Sequence, residues 1–133
     1  MKAKEHHSRT LTATEFQSAM DALPALIEQL LGNEFFTAMY GFGSDIHGDL
    51  TYVPMRLLPR HLSGFFRDSV SQHIFRPGDS DLHFEFPNDR LTITFCHERD
   101  IHFGGVDSEL VERFLSASPF SELGFPERHA NAT

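Results

Sequence analysis

"DLHFEFPNDRLTITFCHERDIHFGG", residues 81–105, decides the fold. Apolar residues stand at alternate positions: Leu82, Phe84 and Phe86, then Leu91, Ile93 and Phe95, then Ile101 and Phe103. A strand with one buried face needs that period of two. "PNDR" and "ERD" interrupt it with turn-forming residues, so the segment reads as three antiparallel strands joined by two tight loops. A four-residue first loop sets Phe86 opposite Leu91, Phe84 opposite Ile93 and Leu82 opposite Phe95. A three-residue second loop sets His97 opposite Ile101 and Phe95 opposite Phe103. Both pairings keep the phenyl rings on one side. The other side then carries Asp81, His83, Glu85, Thr92, Thr94, Cys96 and His102, while His97 falls at the edge of the core.

Upstream, Thr12 and Glu15 have the spacing of a capping box, and Phe16, Met20, Leu23, Ile27 and Leu30 recur at helical intervals. Pro24 should kink or split that helix, and Gly32 and Asn33 should end it. "EFFTAMYGFG" and "LTYVPM" read as a hairpin about the turn "SDIHGD", with Pro54 ending the second strand or lying at a sheet edge. Pro59 opens a second helix whose face is Leu62, Phe65, Phe66, Val70 and His73. Downstream, Asp107 caps a third helix with Leu110, Val111, Phe114 and Leu115 on its apolar side, and "SPFSELGF" adds one helical turn. Residues 1–11 read as a flexible arm, 12–125 as a single domain and 126–133 as a frayed tail. The expectation is α+β: an antiparallel sheet of about five strands with three helices packed on one face.

The 133 residues suit one core, and 14 phenylalanines without a tryptophan suggest that phenyl rings pack it. No apolar run reaches the roughly 20 residues of a membrane span. The N-terminus lacks the apolar stretch of a secretory signal, which points to the cytoplasm. The single cysteine, Cys96, excludes an internal disulfide and a cysteine-built zinc site. The net charge is −8 and unevenly placed: between Asp79 and Glu112, nine acids face only Arg90 and Arg99. That surface repels nucleic acid and attracts basic partners. Arg56, Arg60, Arg67 and Arg76 form a smaller basic stretch opposed by Asp68, better suited to balancing nearby acids than to gripping RNA.

Three sets of residues carry possible chemistry. Asp81, His83, Cys96 and His102 offer zinc-type ligands, but a flat sheet face spreads its side chains instead of converging them. Cys96 with His102 as base and Asp81 as orienting group is the right trio for a nucleophile. It lacks a helix N-terminus to acidify the thiol and a glycine loop to hold an oxyanion. Asp45, His47 and Asp49 alternate as calcium ligands do, without the closing glutamate. No cofactor is called for.

What remains is an acidic docking surface. Asp81, His83, Glu85, Glu98, Asp100, His102 and Glu109 are its candidate contacts for a basic protein. Size, acidity, a single α+β domain and the missing catalytic motif together resemble the small immunity proteins of bacterial toxin–immunity pairs. That resemblance implies a non-enzymatic protein that binds and neutralises a cognate toxin, with neither nucleic acid nor membrane as partner. The alternatives are a metal- or ligand-binding enzyme domain built on Cys96, His102, His83 and Asp81, and an adaptor or chaperone for a secreted protein.

Overall fold

The structure is a computed structural model and describes residues 4–44 and 49–125. Six strands form one open antiparallel sheet: β1 (Lys4–His7), β2 (Phe36–Tyr40), β3 (Met55–Leu57), β4 (Leu82–Glu85), β5 (Thr92–Phe95) and β6 (Ile101–Gly105). Their spatial order is β1-β6-β5-β4-β2-β3. Three helices, α1 (Ala13–Leu31), α2 (Leu62–Ser71) and α3 (Ser108–Leu115), send their apolar faces into a single core with the inner face of the sheet. The protein is therefore an α+β single domain, with one strand more than the sequence suggested. Among the described residues no helix is long and apolar enough to cross a membrane.

The core is aromatic, as the composition implies. Phe84, Phe95 and Phe66 meet edge to face at 5.7–6.2 Å between centroids, and Phe16 and Phe36 extend the cluster along the sheet. Edge-to-face contact suits the ring quadrupole better than a face-to-face sandwich. A second group gathers around Phe103, with Phe114, Phe120 and Phe125.

The β4–β5 pairing is the expected one, with Leu82 opposite Phe95 and Phe84 opposite Ile93. Across the second loop the register differs by two residues: Phe95 faces Ile101, Ile93 faces Phe103 and Thr94 faces His102. The loop is His97-Glu98-Arg99, closed by the Cys96 amide donating to the Asp100 carbonyl at 3.0 Å. Arg99 takes a positive φ of 58°, which lets a three-residue loop turn back on itself. A slip of two preserves which side each residue faces, so the apolar face survives the change.

Three other expectations are corrected. Of the two outcomes expected at Pro24, a kink or a split, the split does not occur: α1 runs through Pro24, whose ring is buried among core residues. A proline removes one hydrogen bond, and packing of Phe16, Met20, Leu23 and Ile27 along one side outweighs that loss. Residues 50–54 are not a strand, apart from one parallel bridge between Thr51 and Tyr40. The partner of β2 begins after Pro54, where backbone donors are available again. Residues 4–7 are not a loose arm but pair along β6, from Lys4 with Gly105 to His7 with His102. The Ser8 amide donates to the Ile101 carbonyl, the Ile101 amide donates to the Ser8 hydroxyl, and Leu11 is buried. The tail at 126–133 lies outside the described residues.

The helix ends follow the sequence closely. Thr12 Oγ1 accepts from the Glu15 amide and Glu15 Oε1 accepts from the Thr12 amide, completing the capping box. Asp107 Oδ1 accepts from the Leu110 amide at the start of α3. Pro59 opens a 3-10 turn that leads into α2, where Leu62 and Phe66 face the core as expected. His73 is instead exposed beyond the helix with φ of 60°, and Ile74 and Phe75 take the buried places.

Candidate functional site

With α1, α2 and α3 packed on the inner face, the outer face carries the polar side chains of alternate strand positions. Register arranges them in lateral rows. Met39, His83, Thr94, His102 and His7 form one row across β2, β4, β5, β6 and β1. Thr37, Glu85, Thr92, Gly104 and Glu5 form the next. Cys96 and Asp100 close the β5–β6 hairpin at one end, beside Asp81.

Asp81 is largely withdrawn from solvent, because Oδ1 accepts both the His97 amide at 2.6 Å and His97 Nδ1 at 2.8 Å. His97 was expected at the core's edge near Ile101. The shifted register frees it from that pairing, and its ring lies 4.6 Å from that of Phe42. The hydrogen bond to Asp81 raises the pKa of His97 above the usual imidazole value. His83 Nδ1 lies 3.0 Å from Thr94 Oγ1. Burial is the main cause that lowers its pKa, against the opposing pull of Asp81 and Glu85. Its ring occupies the space left by the missing side chain of Gly41, where an added Cβ would come within 2.5 Å of Nε2.

His102 Nε2 meets Asp100 Oδ2 at 2.9 Å, and its ring stacks flat on His7 at 3.7 Å between centroids. Glu5 in turn lies 2.8 Å from His7 Nε2. Cys96 is buried, and burial pushes its thiol up to about 12, with the carboxylates of Asp100 and Asp81 adding to the shift. At neutral pH it is therefore a thiol, not a thiolate nucleophile. The trio of Cys96, His102 and Asp81 is not assembled either, since Asp81 binds His97.

The structure also regroups the four candidate metal ligands. Cys96 and His102 come together with Asp100, Asp81 and Cys96 come together with His97, and His83 joins neither group. Glu85 and Glu98 are exposed, while Asp100 and His102 are largely covered. Glu109 is exposed on α3, in the helical layer, and does not share the outer face. Of the calcium-like trio, Asp45 and His47 lie outside the described residues.

The basic stretch is mostly engaged. Arg56 lies over the Phe35 ring at 4.2 Å, Arg67 meets Asp68 and Arg76 donates to the Gly43 carbonyl.

Two aromatic residues were not foreseen as surface groups. Phe42 is 60% exposed and Tyr52 is 58% exposed. Phe42 lies against His97, and the Tyr52 ring is roughly parallel to that of His83 at 6.4 Å. Tyr52 has φ of 63°, rare and strained for an aromatic residue, and its amide donates to the Tyr40 carbonyl at 2.7 Å. Both fall in stretches that read as strands in the sequence, which hides them. Glu5 and His7 were missed because four polar residues give no usable alternation.

Comparison with protein-family models, with curated proteins and with solved structures finds no match.

Proposed function

We propose that this is a non-enzymatic, cytoplasmic immunity protein that neutralises a bacterial toxin by receiving a basic surface of that toxin on its outer sheet face. One observation carries the reading: Phe42 and Tyr52 stand exposed at the edge of a face whose open charges include Glu85 and Glu98. Exposed rings beside rigid strands are typical anchors of protein interfaces, because they bury large area with little loss of side-chain freedom. Surrounding carboxylates reject acidic partners and speed encounter with basic ones. The half-covered groups have a separate role here. Asp81 and Asp100 hold the β5–β6 turn in place through His97 and His102, and so fix the platform instead of gripping the partner.

The test is direct binding and rescue of growth with the product of the gene adjacent to its own. Phe42→Ala and Tyr52→Ala should each weaken the complex by about 1–3 kcal/mol and raise the dose needed for rescue. Glu109→Ala should change neither. Unaltered affinity and rescue in the Phe42→Ala/Tyr52→Ala double variant would remove this face from the interface.

A further inference from the structure

We propose that Cys96, Asp100 and His102 form a site for a borderline-soft divalent cation of the zinc class. The three belong to one local structure. Cys96 and Asp100 are the closing pair of the β5–β6 hairpin, and His102 follows Asp100 by two residues, so strand alternation returns it to the same side. One ligand atom from each lies within 4.8 Å of the other two. Tetrahedral zinc with bonds of about 2.0–2.3 Å sets its ligands roughly 3.3–3.8 Å apart. Closing that difference takes side-chain rotation of about an ångström, with the hairpin left as it is.

An independent observation points to a missing partner. Asp100 Oδ2 already meets His102 and the Cys96 thiol leans on the same carboxylate, but Asp100 Oδ1 itself is buried without a hydrogen-bond partner. A buried carboxylate oxygen without a donor is uncommon in a folded protein. A cation between it, the Cys96 sulfur and the His102 ring satisfies it, with His102 either giving up its Nε2 contact to Asp100 Oδ2 or turning Nδ1 to the metal. Thiolate, imidazole and carboxylate together suit zinc better than calcium or magnesium, which take oxygen alone. On binding, a metal–sulfur bond forms and the thiol proton leaves to solvent. Water fills the fourth position.

Neighbouring sets are weaker. In Asp81, Cys96 and His97, Oδ1 of Asp81 already accepts two hydrogen bonds that a cation would have to displace. Glu5, His7 and His102 also cluster, but Glu5 and His7 are exposed and already paired with each other. That second set shares His102 and therefore supplies the control.

The full chain, purified without a histidine tag and stripped with a chelator, is titrated with Co²⁺ and then with Zn²⁺. The expected result is a sulfur-to-cobalt charge-transfer absorption that saturates at one equivalent and is abolished by one equivalent of zinc. Cys96→Ser should eliminate that band, and Cys96→Ser, Asp100→Asn and His102→Ala should each weaken zinc by roughly tenfold or more. Glu5→Gln and His7→Ala should stay within about threefold of the parent. A parent protein without the charge-transfer band overturns the proposal, whatever the variants do. So does zinc binding that survives Cys96→Ser and is lost in His7→Ala. Neither readout depends on a toxin being the partner.

Discussion

Asp81 Oδ1 holds both the amide and the ring of His97, so the turn between β5 and β6 is tied to the start of β4. Asp81 looks in the sequence like a docking group, and in the structure it braces His97. The hydrogen bond to Asp81 raises the His97 pKa, so protonated His97 favours the folded state. Its contribution is therefore complete below the unfolded imidazole pKa, about 6.5, and is lost as pH rises through the higher folded value. His83 runs the other way. Burial lowers its pKa, so it favours folding above the unfolded value and works against it as pH falls. Histidine titration by NMR should place His97 above and His83 below the ordinary value. In Asp81→Asn, His97 should move down towards it. An unmoved His97 would show that Asp81 is not its partner in solution. The pair was not legible in the sequence, because the expected register sent His97 to the core and left Asp81 facing solvent.

At the scale of elements, the turn from β6 into α3 depends on Gly105. Its φ is 132°, and an added Cβ would collide with the Arg90 carbonyl oxygen and lie 2.7 Å from Leu91 Cα. The backbone comes this close because the Val106 and Asp107 amides donate to the Asp89 and Arg90 carbonyls. The Arg90 guanidinium reinforces the junction, reaching Glu34 at 3.0 Å and Asp107 at 3.5 Å. Gly105→Ala should therefore lose more than about 2 kcal/mol in urea unfolding. Gly64→Ala, within α2 and 3.4 Å from the flexible end of Arg67, should be neutral or gain up to about 1 kcal/mol. Equal effects would mean that close approach at Gly105 is relieved cheaply. Elements with strong local signals were readable in the sequence. The Thr12 and Asp107 caps, the apolar faces of α1 and α3, and the β4–β5 register all rest on neighbours in the chain. Elements set by distant partners were not. β1 is a strand only because β6 offers it an edge, and β3 starts where the long excursion from Tyr40 returns to β2. The candidate site divides in the same way. The polar outer face followed from alternation, whereas the stacking of His7 on His102 and the seating of Phe42 and Tyr52 needed the tertiary structure.

Over the whole molecule, the charge of −8 lies mainly in the segment that supplies β4, β5, β6 and α3. A field of one sign over a rigid sheet accelerates encounter with an oppositely charged protein, and salt screens it over about 8 Å at physiological ionic strength. Association with the basic partner proposed above should therefore slow as salt rises. Glu85→Lys and Glu98→Lys should slow it further and flatten that dependence, with dissociation less affected. Stopped-flow association rates at several salt concentrations test this, and slopes equal to those of the parent would assign steering to another surface. The pairing of Lys4–His7 with β6 also sets an order of assembly. On the ribosome, Lys4–His7 is made well before β6 and has no strand to join until Gly105 has emerged. Closing that long loop is entropically costly, so β1 should dock late, onto a sheet whose other strands are already in place. Until then β6 remains an open edge, and a nascent chain in that interval is most exposed to pairing with a neighbouring copy.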